Sequence, residues 1–281
     1  MEEKQMGLEL ENDDELIENT SLDQDKSFAI AWNENQGGYS EGIAKKVLTF
    51  AKNQGLKINT VLDIYCGSGN FLSIMEENGK TCTGTEVLDS YIEYNKQKHR
   101  NMNFIKQSSL NDFDKIGKYD LISCNHDVVN YLSSIEEVQQ FFTNVYNHLN
   151  DGGIFIFDYY TKRKLQYWNE VTYSESDKLD YIKSVTSDGV SKTEIADIYY
   201  ININPNNKST TEKEYSISNY DSKFKRTENI TIEYFFENQE FVNAIKSSGY
   251  RYLITTDANF SPISNISDMN RVHMIAIKRE Q

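Results

Sequence analysis

The chain has 281 residues, of which 38% are hydrophobic and 26% charged, a composition typical of folded globular proteins of one large or two modest domains. The formal net charge of −14 disfavours nucleic acid and anionic membranes as partners, because such surfaces attract Lys and Arg. The three cysteines show no C-x-x-C spacing, so we expect neither a disulfide framework nor a metal site. The acidic start and the lack of a membrane-length apolar run predict a cytoplasmic protein.

Most of the negative charge lies at the start of the chain. Residues 1–25 contain ten acidic residues and one lysine, and their apolar residues follow no sustained period. We interpret them as a mobile, solvated tail. The rest of the chain is only mildly acidic, so the net charge alone is a weak argument against an RNA substrate.

From Ser40 to Asp158, short apolar segments alternate with segments of helical period. Ser40 is a candidate N-cap of a helix that Gly55 ends. The predicted strands are 61–64, 81–87, 102–107, 119–124 and 154–158, and the further predicted helices are 70–78, 89–99 and 134–149. This alternation predicts an α/β fold with a doubly wound, Rossmann-like parallel sheet over residues 26–160.

After residue 160 the pattern changes to a period of two. Residues 161–235 alternate apolar and polar side chains, as at Tyr215-Ile217, and turn signals stand at Asp188-Gly189 and at 204–207. We predict an inserted antiparallel β-meander that serves as a substrate or dimer subdomain. Residues 236–281 then add a helix and two strands that complete the main sheet.

The turn after the first predicted strand carries the strongest functional signal. Asp63 ends the strand, Gly67 and Gly69 follow, and Glu86 ends the next strand. Ligands of open α/β sheets bind at the carboxyl ends of the strands, where glycines allow the backbone a close approach. A carboxylate at Glu86 is placed to accept the ribose hydroxyls of a nucleoside.

These segments resemble the class I S-adenosylmethionine (SAM)-dependent methyltransferases of the bacterial small-molecule type. V-L-D-I-Y-C-G-S-G-N-F (61–71) is similar to their first motif, G-T-E-V (84–87) to their second-strand acid, and L-N-D-G-G-I-F-I-F-D (149–158) to their fifth strand. The resemblance implies a seven-stranded sheet with an antiparallel last strand, and SAM as the cofactor with S-adenosylhomocysteine as its product. It implies a set of cofactor-binding residues: Asp63, Tyr65, Cys66, Gly67, Gly69, Glu86, Val87, Ser108, Ser109, Leu110 and Asn125.

Two positions depart from the family pattern. Tyr65 replaces the usual first glycine, as in enzymes that make 5-methyluridine in RNA, and Ser108-Ser109 replace the acid near the adenine. A serine hydroxyl still hydrogen-bonds an amino group, although less strongly than a carboxylate. We therefore expect a modest affinity for SAM.

The segment after the fourth strand supplies the candidate acceptor groups. His126 is the candidate general base and Asp127 an orienting group, the alternative being a loop histidine without a catalytic part. Asn130, Tyr131, Tyr159 and Tyr160 are candidate acceptor contacts. Trp32 and Tyr39 are candidates to cover the cofactor, or else to pack as a hydrophobic staple of the first helix.

Other classes fit the sequence less well. A nicotinamide or flavin site needs a third glycine where Leu72 stands. The Asn/Asp-Pro-Pro-Tyr loop of nucleic-acid amino-methylases is absent, since Asn125-His126-Asp127-Val128 occupies its place, and no cysteine follows Cys124. We expect methylation of a nitrogen or oxygen of a small molecule. The alternatives are a SAM- or nucleoside-binding protein without turnover, an RNA-directed methyltransferase, and an insert that forms a homodimer.

Overall fold

The computed structural model describes residues 23–166, 168–175, 179–188, 191–200, 225–266 and 268–279, with side chains except at 23–37, 174–175, 179–181, 194–200 and 225–230. Most of the predicted acidic tail, the predicted turn at 204–207 and the strand expected near Tyr215 lie outside the described residues. Among the described helices, none is long and apolar enough to cross a membrane.

The elements follow one another in the predicted alternation. The helices are α1 (Asp23–Asn53), α2 (Asn70–Glu77), α3 (Asp89–Lys98), α4 (Ile135–His148), α5 (Lys162–Leu165) and α6 (Asn238–Ser247), with a 3-10 helix at Val128–Tyr131. The strands are β1 (Thr60–Asp63), β2 (Thr81–Glu86), β3 (Asn103–Lys106), β4 (Tyr119–Cys124), β5 (Leu149–Tyr160), β6 (Glu170–Glu175), β7 (Leu179–Ser187), β8 (Ser191–Tyr200), β9 (Lys225–Tyr234), β10 (Tyr252–Thr256) and β11 (Arg271–Ile277).

Seven strands form the main sheet, in the order β10-β11-β5-β4-β1-β2-β3. The strands β1 to β5 pair in parallel, whereas β11 runs antiparallel to both β5 and β10. The predicted seven-stranded, doubly wound sheet with an antiparallel last strand is therefore confirmed.

Two apolar clusters cover the two faces of this sheet. One joins α1 and α2 to the sheet through residues such as Val47 and Phe71, and the other joins α4 and α6 through Phe142 and Phe241. Because helices lie on both faces, the short strands are buried on both sides, as their continuous apolar segments predict.

The first helix is longer than its sequence pattern indicates. We predicted a start at Ser40, but α1 begins at Asp23 and continues through Gly37 and Gly38. A glycine inside a helix costs only about 1 kcal/mol relative to alanine, so two glycines do not end a helix that is otherwise supported.

The predicted insert forms a second, four-stranded antiparallel sheet in the order β6-β7-β8-β9. Buried Asn130 joins the two sheets: its Nδ2 donates to the carbonyl oxygens of Tyr234 at 2.8 Å and Tyr160 at 3.3 Å, and its Oδ1 accepts from the Tyr160 N–H at 3.0 Å. These bonds hold the insert against the carboxyl ends of β4 and β5.

The strand order of the main sheet reverses at β1, which lies between β2 and β4. The loops after β1 and β4 leave on opposite sides of this point, and a crevice opens between them. The fold thus places the predicted glycine turn and the His126 segment on either side of one crevice.

Candidate active site

The turn after β1 is built from residues in left-handed conformation. Gly67 and Gly69 have φ values of +52° and +75°, and Tyr65 adopts +53°. A side chain in this region costs about 1–2 kcal/mol, so Tyr65 carries backbone strain that a glycine would avoid. Its ring packs against the core of the main sheet, a contact that a glycine at this position would lack.

Glu86 closes this turn from the end of β2. Its Oε2 accepts from the Gly67 N–H at 3.0 Å and its Oε1 from the Val87 N–H at 2.7 Å, while the residue is only 5% exposed. Burial raises the pKa of Glu86, and the backbone N–H groups oppose that shift by stabilising the charged form. Oε1 also accepts from the Leu88 N–H at 3.4 Å, whereas Oε2 keeps a second lone pair that can accept a hydroxyl donor.

Asp63 lies beneath the turn. Ser123 Oγ donates to its Oδ1 at 2.5 Å, and Asp63 is 4% exposed. Burial raises the pKa of Asp63 to about 7. The carboxyl therefore ties β1 to β4.

A cavity of about 370 Å³ opens above the turn, within the size range of small-molecule sites. One side, here called the glycine wall, consists of residues that follow β1 and β2: Tyr65, Cys66, Gly67, Ser68, Asn70, Glu86, Val87, Leu88 and Tyr91. The opposite side, here called the inter-sheet wall, is formed by both sheets and α1: Ser40, His126, Asp127, Val128, Tyr131, Tyr160, Trp168, Lys183, Lys192, Thr231, Ile232, Glu233 and Arg271.

Arg271, the first residue of β11, organises the inter-sheet wall. Its Nη2 donates to Asp127 Oδ1 at 2.8 Å, its Nη1 donates to the Tyr160 hydroxyl at 3.2 Å, and its Nε donates to Asp158 Oδ2. The guanidinium also stacks between the rings of Tyr39 and Tyr160, each 4.7 Å from its Cζ. Burial opposes the ionisation of Asp158, but the positive charge of Arg271 keeps the pKa of that carboxyl below its usual value.

His126 lies beside this network. Residues 126 and 127 both have positive φ values, and the backbone N–H of Asp127 donates to Asp158 Oδ1 at 3.2 Å, which fixes the bend. His126 Nε2 is 2.7 Å from Ser40 Oγ of α1, and its ring packs on Tyr39 at 4.7 Å between centroids. Burial lowers the pKa of His126 to about 4, so the imidazole is neutral near pH 7.

The structure brings many of the predicted site residues to one cavity. Nine predicted site residues line it: Tyr65, Cys66, Gly67, Glu86, Val87, His126, Asp127, Tyr131 and Tyr160. Tyr39 contacts the network behind the inter-sheet wall, where its hydroxyl donates to Asp158 Oδ2 at 2.8 Å.

Other predicted residues lie behind the walls or away from them. Asp63, Gly69, Asn125, Asn130 and Tyr159 are buried and do not line the cavity. The Ser108 hydroxyl donates to Asp112 Oδ2 at 2.7 Å, Ser109 is exposed, and Leu110 packs in the core. The side chain of Trp32 lies outside the described part of α1. The binding roles of all these residues stay predictions.

Sequence reasoning missed several residues of the inter-sheet wall and of the network behind it. Asp158 stood at the end of a predicted apolar strand, where a buried acid is a signal of function. Arg271 is the first residue of β11, which runs antiparallel to β5. The start of β11 therefore lies at the same edge as the carboxyl ends of the parallel strands, and this geometry could have identified Arg271 as a site residue. For Trp168, Lys192 and Glu233 the alternating pattern gave no such signal.

Comparison with known proteins identifies the family. The family model of the methyltransferase domain matches residues 36–188, which is more than half of the chain. The chain belongs to the methyltransferase domain family. The matched region contains the glycine turn, Glu86 and His126.

Relatives and solved structures agree with this assignment. The ubiquinone biosynthesis O-methyltransferase of Rickettsia conorii is 28% identical over 111 residues, which cover 38% of this chain and 37% of that protein. A S-adenosylmethionine-dependent methyltransferase from Clostridium acetobutylicum has a TM-score of 0.74 at 17% identity, covering 91% of this chain and 99% of the other. CalS10, a SAM-bound amino pentose methyltransferase from Micromonospora echinaspora, has a TM-score of 0.63 at 12% identity, covering 89% of this chain and 96% of the other. The chain spans less than two thirds of two curated relatives, 58% of one and 37% of the other.

The prediction of a class I SAM-dependent methyltransferase is thus confirmed for the family and for the fold. The likeness to solved structures concerns the fold alone, because all identities are low. Within the described part of the methyltransferase, no group of three or more His, Cys, Asp or Glu residues is arranged to hold a metal ion.

Proposed function

We propose that this methyltransferase transfers a methyl group from SAM to a nitrogen or oxygen of a small molecule. The observation that supports this most strongly is a cavity with two unlike walls. The glycine wall offers backbone groups and a buried carboxylate, whereas the inter-sheet wall offers a neutral histidine, aromatic rings and paired charges.

The glycine wall fits the adenosyl part of SAM. Glu86 is held in place by three backbone N–H groups, and its Oε2 retains a lone pair for a ribose hydroxyl. When bound, SAM supplies an activated methyl group, so the protein needs to align a nucleophile and to exclude water. The strain at Tyr65 and the exposed Ser109 support the expectation of a modest affinity.

The inter-sheet wall fits a proton acceptor beside the nucleophile. His126 lines the cavity, and because burial lowers its pKa the imidazole is unprotonated at neutral pH, the form that a proton acceptor requires. Ser40 fixes the ring of His126, and the ion pair between Asp127 and Arg271 fixes the adjacent backbone. We therefore assign His126 as the general base and Asp127 as the group that orients its segment.

Small acceptors are supported by the size of the cavity, about 370 Å³. The second sheet lines it opposite the glycine wall, and the structural neighbour CalS10 is an amino pentose methyltransferase. A small-molecule acceptor, the absence of nucleic-acid and membrane partners, the cytoplasmic location and a homodimer through the insert are all part of the proposal and await tests.

The direct test is the formation of S-adenosylhomocysteine from SAM with a panel of small amines and alcohols. We expect turnover by the wild type and a roughly 100-fold or larger loss of kcat in His126→Gln, with SAM affinity retained. Calorimetric binding of SAM without turnover on any acceptor would instead favour a binding protein, and turnover only on RNA would favour an RNA-directed enzyme.

A further inference from the structure

A buried ion pair lies on the inter-sheet wall of the cavity. Lys192 of β8 and Glu233 of β9 are directly opposite in the antiparallel register, and Lys192 Nζ contacts Glu233 Oε1. Both side chains are only 2% exposed, although both line the cavity. The indole of Trp168 covers the ammonium, with Nζ 4.3 Å from the ring centroid. A hydrogen-bond donor and an acceptor of opposite charge therefore lie side by side where water barely reaches.

Stability of the fold does not explain this pair. Removing both charges from water is costly, and apolar side chains of similar volume usually stabilise such a position equally well or better. Apolar packing is available here, because Val185 and Phe235 form a buried cluster with Trp168 on the same sheet. The pair has to be explained by what it faces, which is the cavity.

We propose that Lys192 and Glu233 form a subsite that hydrogen-bonds the hydroxyl groups of the methyl acceptor, an inference that rests on the proposed function. An ammonium only donates and a carboxylate only accepts, whereas a hydroxyl does both and matches the pair. The low exposure of the pair strengthens such bonds. The acceptor class is a polyhydroxylated small molecule whose nucleophilic nitrogen or oxygen lies toward His126 while its hydroxyls reach the second sheet.

Two primary amines test the subsite. Glucosamine carries ring hydroxyls, whereas cyclohexylamine has a ring of the same size without them. With SAM present, we expect the wild type to methylate glucosamine with the higher kcat/KM. In Lys192→Met/Glu233→Met, kcat/KM for glucosamine should fall about 10- to 100-fold, chiefly through KM, because hydrogen bonds to charged groups are lost. The loss for cyclohexylamine should be much smaller, and calorimetry should show that SAM still binds.

Two further variants separate recognition from folding. Arg163→Gln/Asp268→Asn removes an exposed ion pair at 3.0 Å, neither residue of which lines the cavity, and should change neither rate. Lys192→Glu/Glu233→Lys keeps the pair but exchanges donor and acceptor, so it should fold and still lose activity on glucosamine. This variant carries the test if the double methionine variant fails to fold.

The outcomes distinguish the two proposals. Equal losses for both amines, full activity of the exchanged pair on glucosamine, or a wild type that binds SAM without methylating glucosamine would overturn the subsite. A wild type that does not bind SAM would overturn the proposed function itself.

Discussion

The two walls of the cavity are built from very different stretches of chain. The glycine wall comes from residues 65–91, two consecutive strand-to-helix turns whose geometry depends on local glycines and one acid. The inter-sheet wall unites Ser40, His126, Lys192, Glu233 and Arg271, which are spread over more than 200 residues and meet only after both sheets have formed. The first wall can be recognised from sequence because its function is local, whereas the second depends on tertiary packing and can vary with the acceptor.

The largest effect is expected where the inter-sheet wall depends on one side chain. Arg271→Met leaves the buried carboxylates of Asp127 and Asp158 without their cation, and breaking a buried pair from one side costs about 3–5 kcal/mol. We expect this loss in the free energy of unfolding by urea denaturation. The matched control, Arg163→Met, removes an arginine that is 46% exposed and should cost about 0–1 kcal/mol. Equal costs for the two variants would show that Arg271 does not hold the wall together.

The glycine wall should respond in ligand affinity instead. Glu86→Ala removes the carboxylate that we propose accepts the ribose hydroxyls. The binding free energy of SAM should weaken by about 1–3 kcal/mol, which is a roughly 5- to 150-fold rise in Kd. Isothermal titration calorimetry measures this, with the exposed Glu77→Ala on α2 as the control. An unchanged Kd in Glu86→Ala would contradict the ribose assignment.

The same contrast explains what the sequence could predict. Short apolar strands alternating with amphipathic helices indicated the main sheet, and the glycines and Glu86 indicated the glycine wall, because both signals are local. The predicted start of α1 at Ser40 was wrong, since the helix continues through Gly37 and Gly38. Sequence analysis missed Arg271, Lys192 and Glu233. A single charged residue in a strand does not reveal on which face of the sheet its side chain lies, or which other residues it contacts there.

A smaller effect should separate the cost of a left-handed backbone from the cost of a steric contact in the turn behind the glycine wall. Gly69 and Gly79 have similar φ values, +75° and +73°. A Cβ at Gly69 would lie 3.1 Å from Asn95 Oδ1 and from His99 Nε2, whereas at Gly79 nothing lies within 4 Å. Both alanine variants should lose about 1–2 kcal/mol of stability through the left-handed conformation, and Gly69→Ala somewhat more.

Only Gly69→Ala should also weaken SAM binding, because its added methyl group displaces neighbours of the turn. Thermal unfolding and calorimetry on the two variants measure both quantities. If Gly79→Ala reduced the affinity for SAM as much as Gly69→Ala, the effect would not come from the glycine wall.

An expected change that develops only at acidic pH concerns the charge of His126. Burial lowers its pKa to about 4, whereas histidine in an unfolded chain titrates near about 6.5. Between these values the unfolded state binds a proton that the folded state does not, so the free energy of unfolding should fall as the pH falls through this window. Above about pH 6.5 the contribution of His126 should be constant.

An NMR titration of the imidazole signals tests this directly, with His126→Gln identifying the resonance by its loss. We expect the His126 signal to stay unchanged between about pH 8 and 5.5, and His126→Gln to lose less stability than the wild type on acidification. A midpoint near 6.5 would mean that the imidazole is exposed to water. In that case α1 would not hold Ser40 and Tyr39 against it, and the inter-sheet wall would be open rather than closed before the acceptor binds.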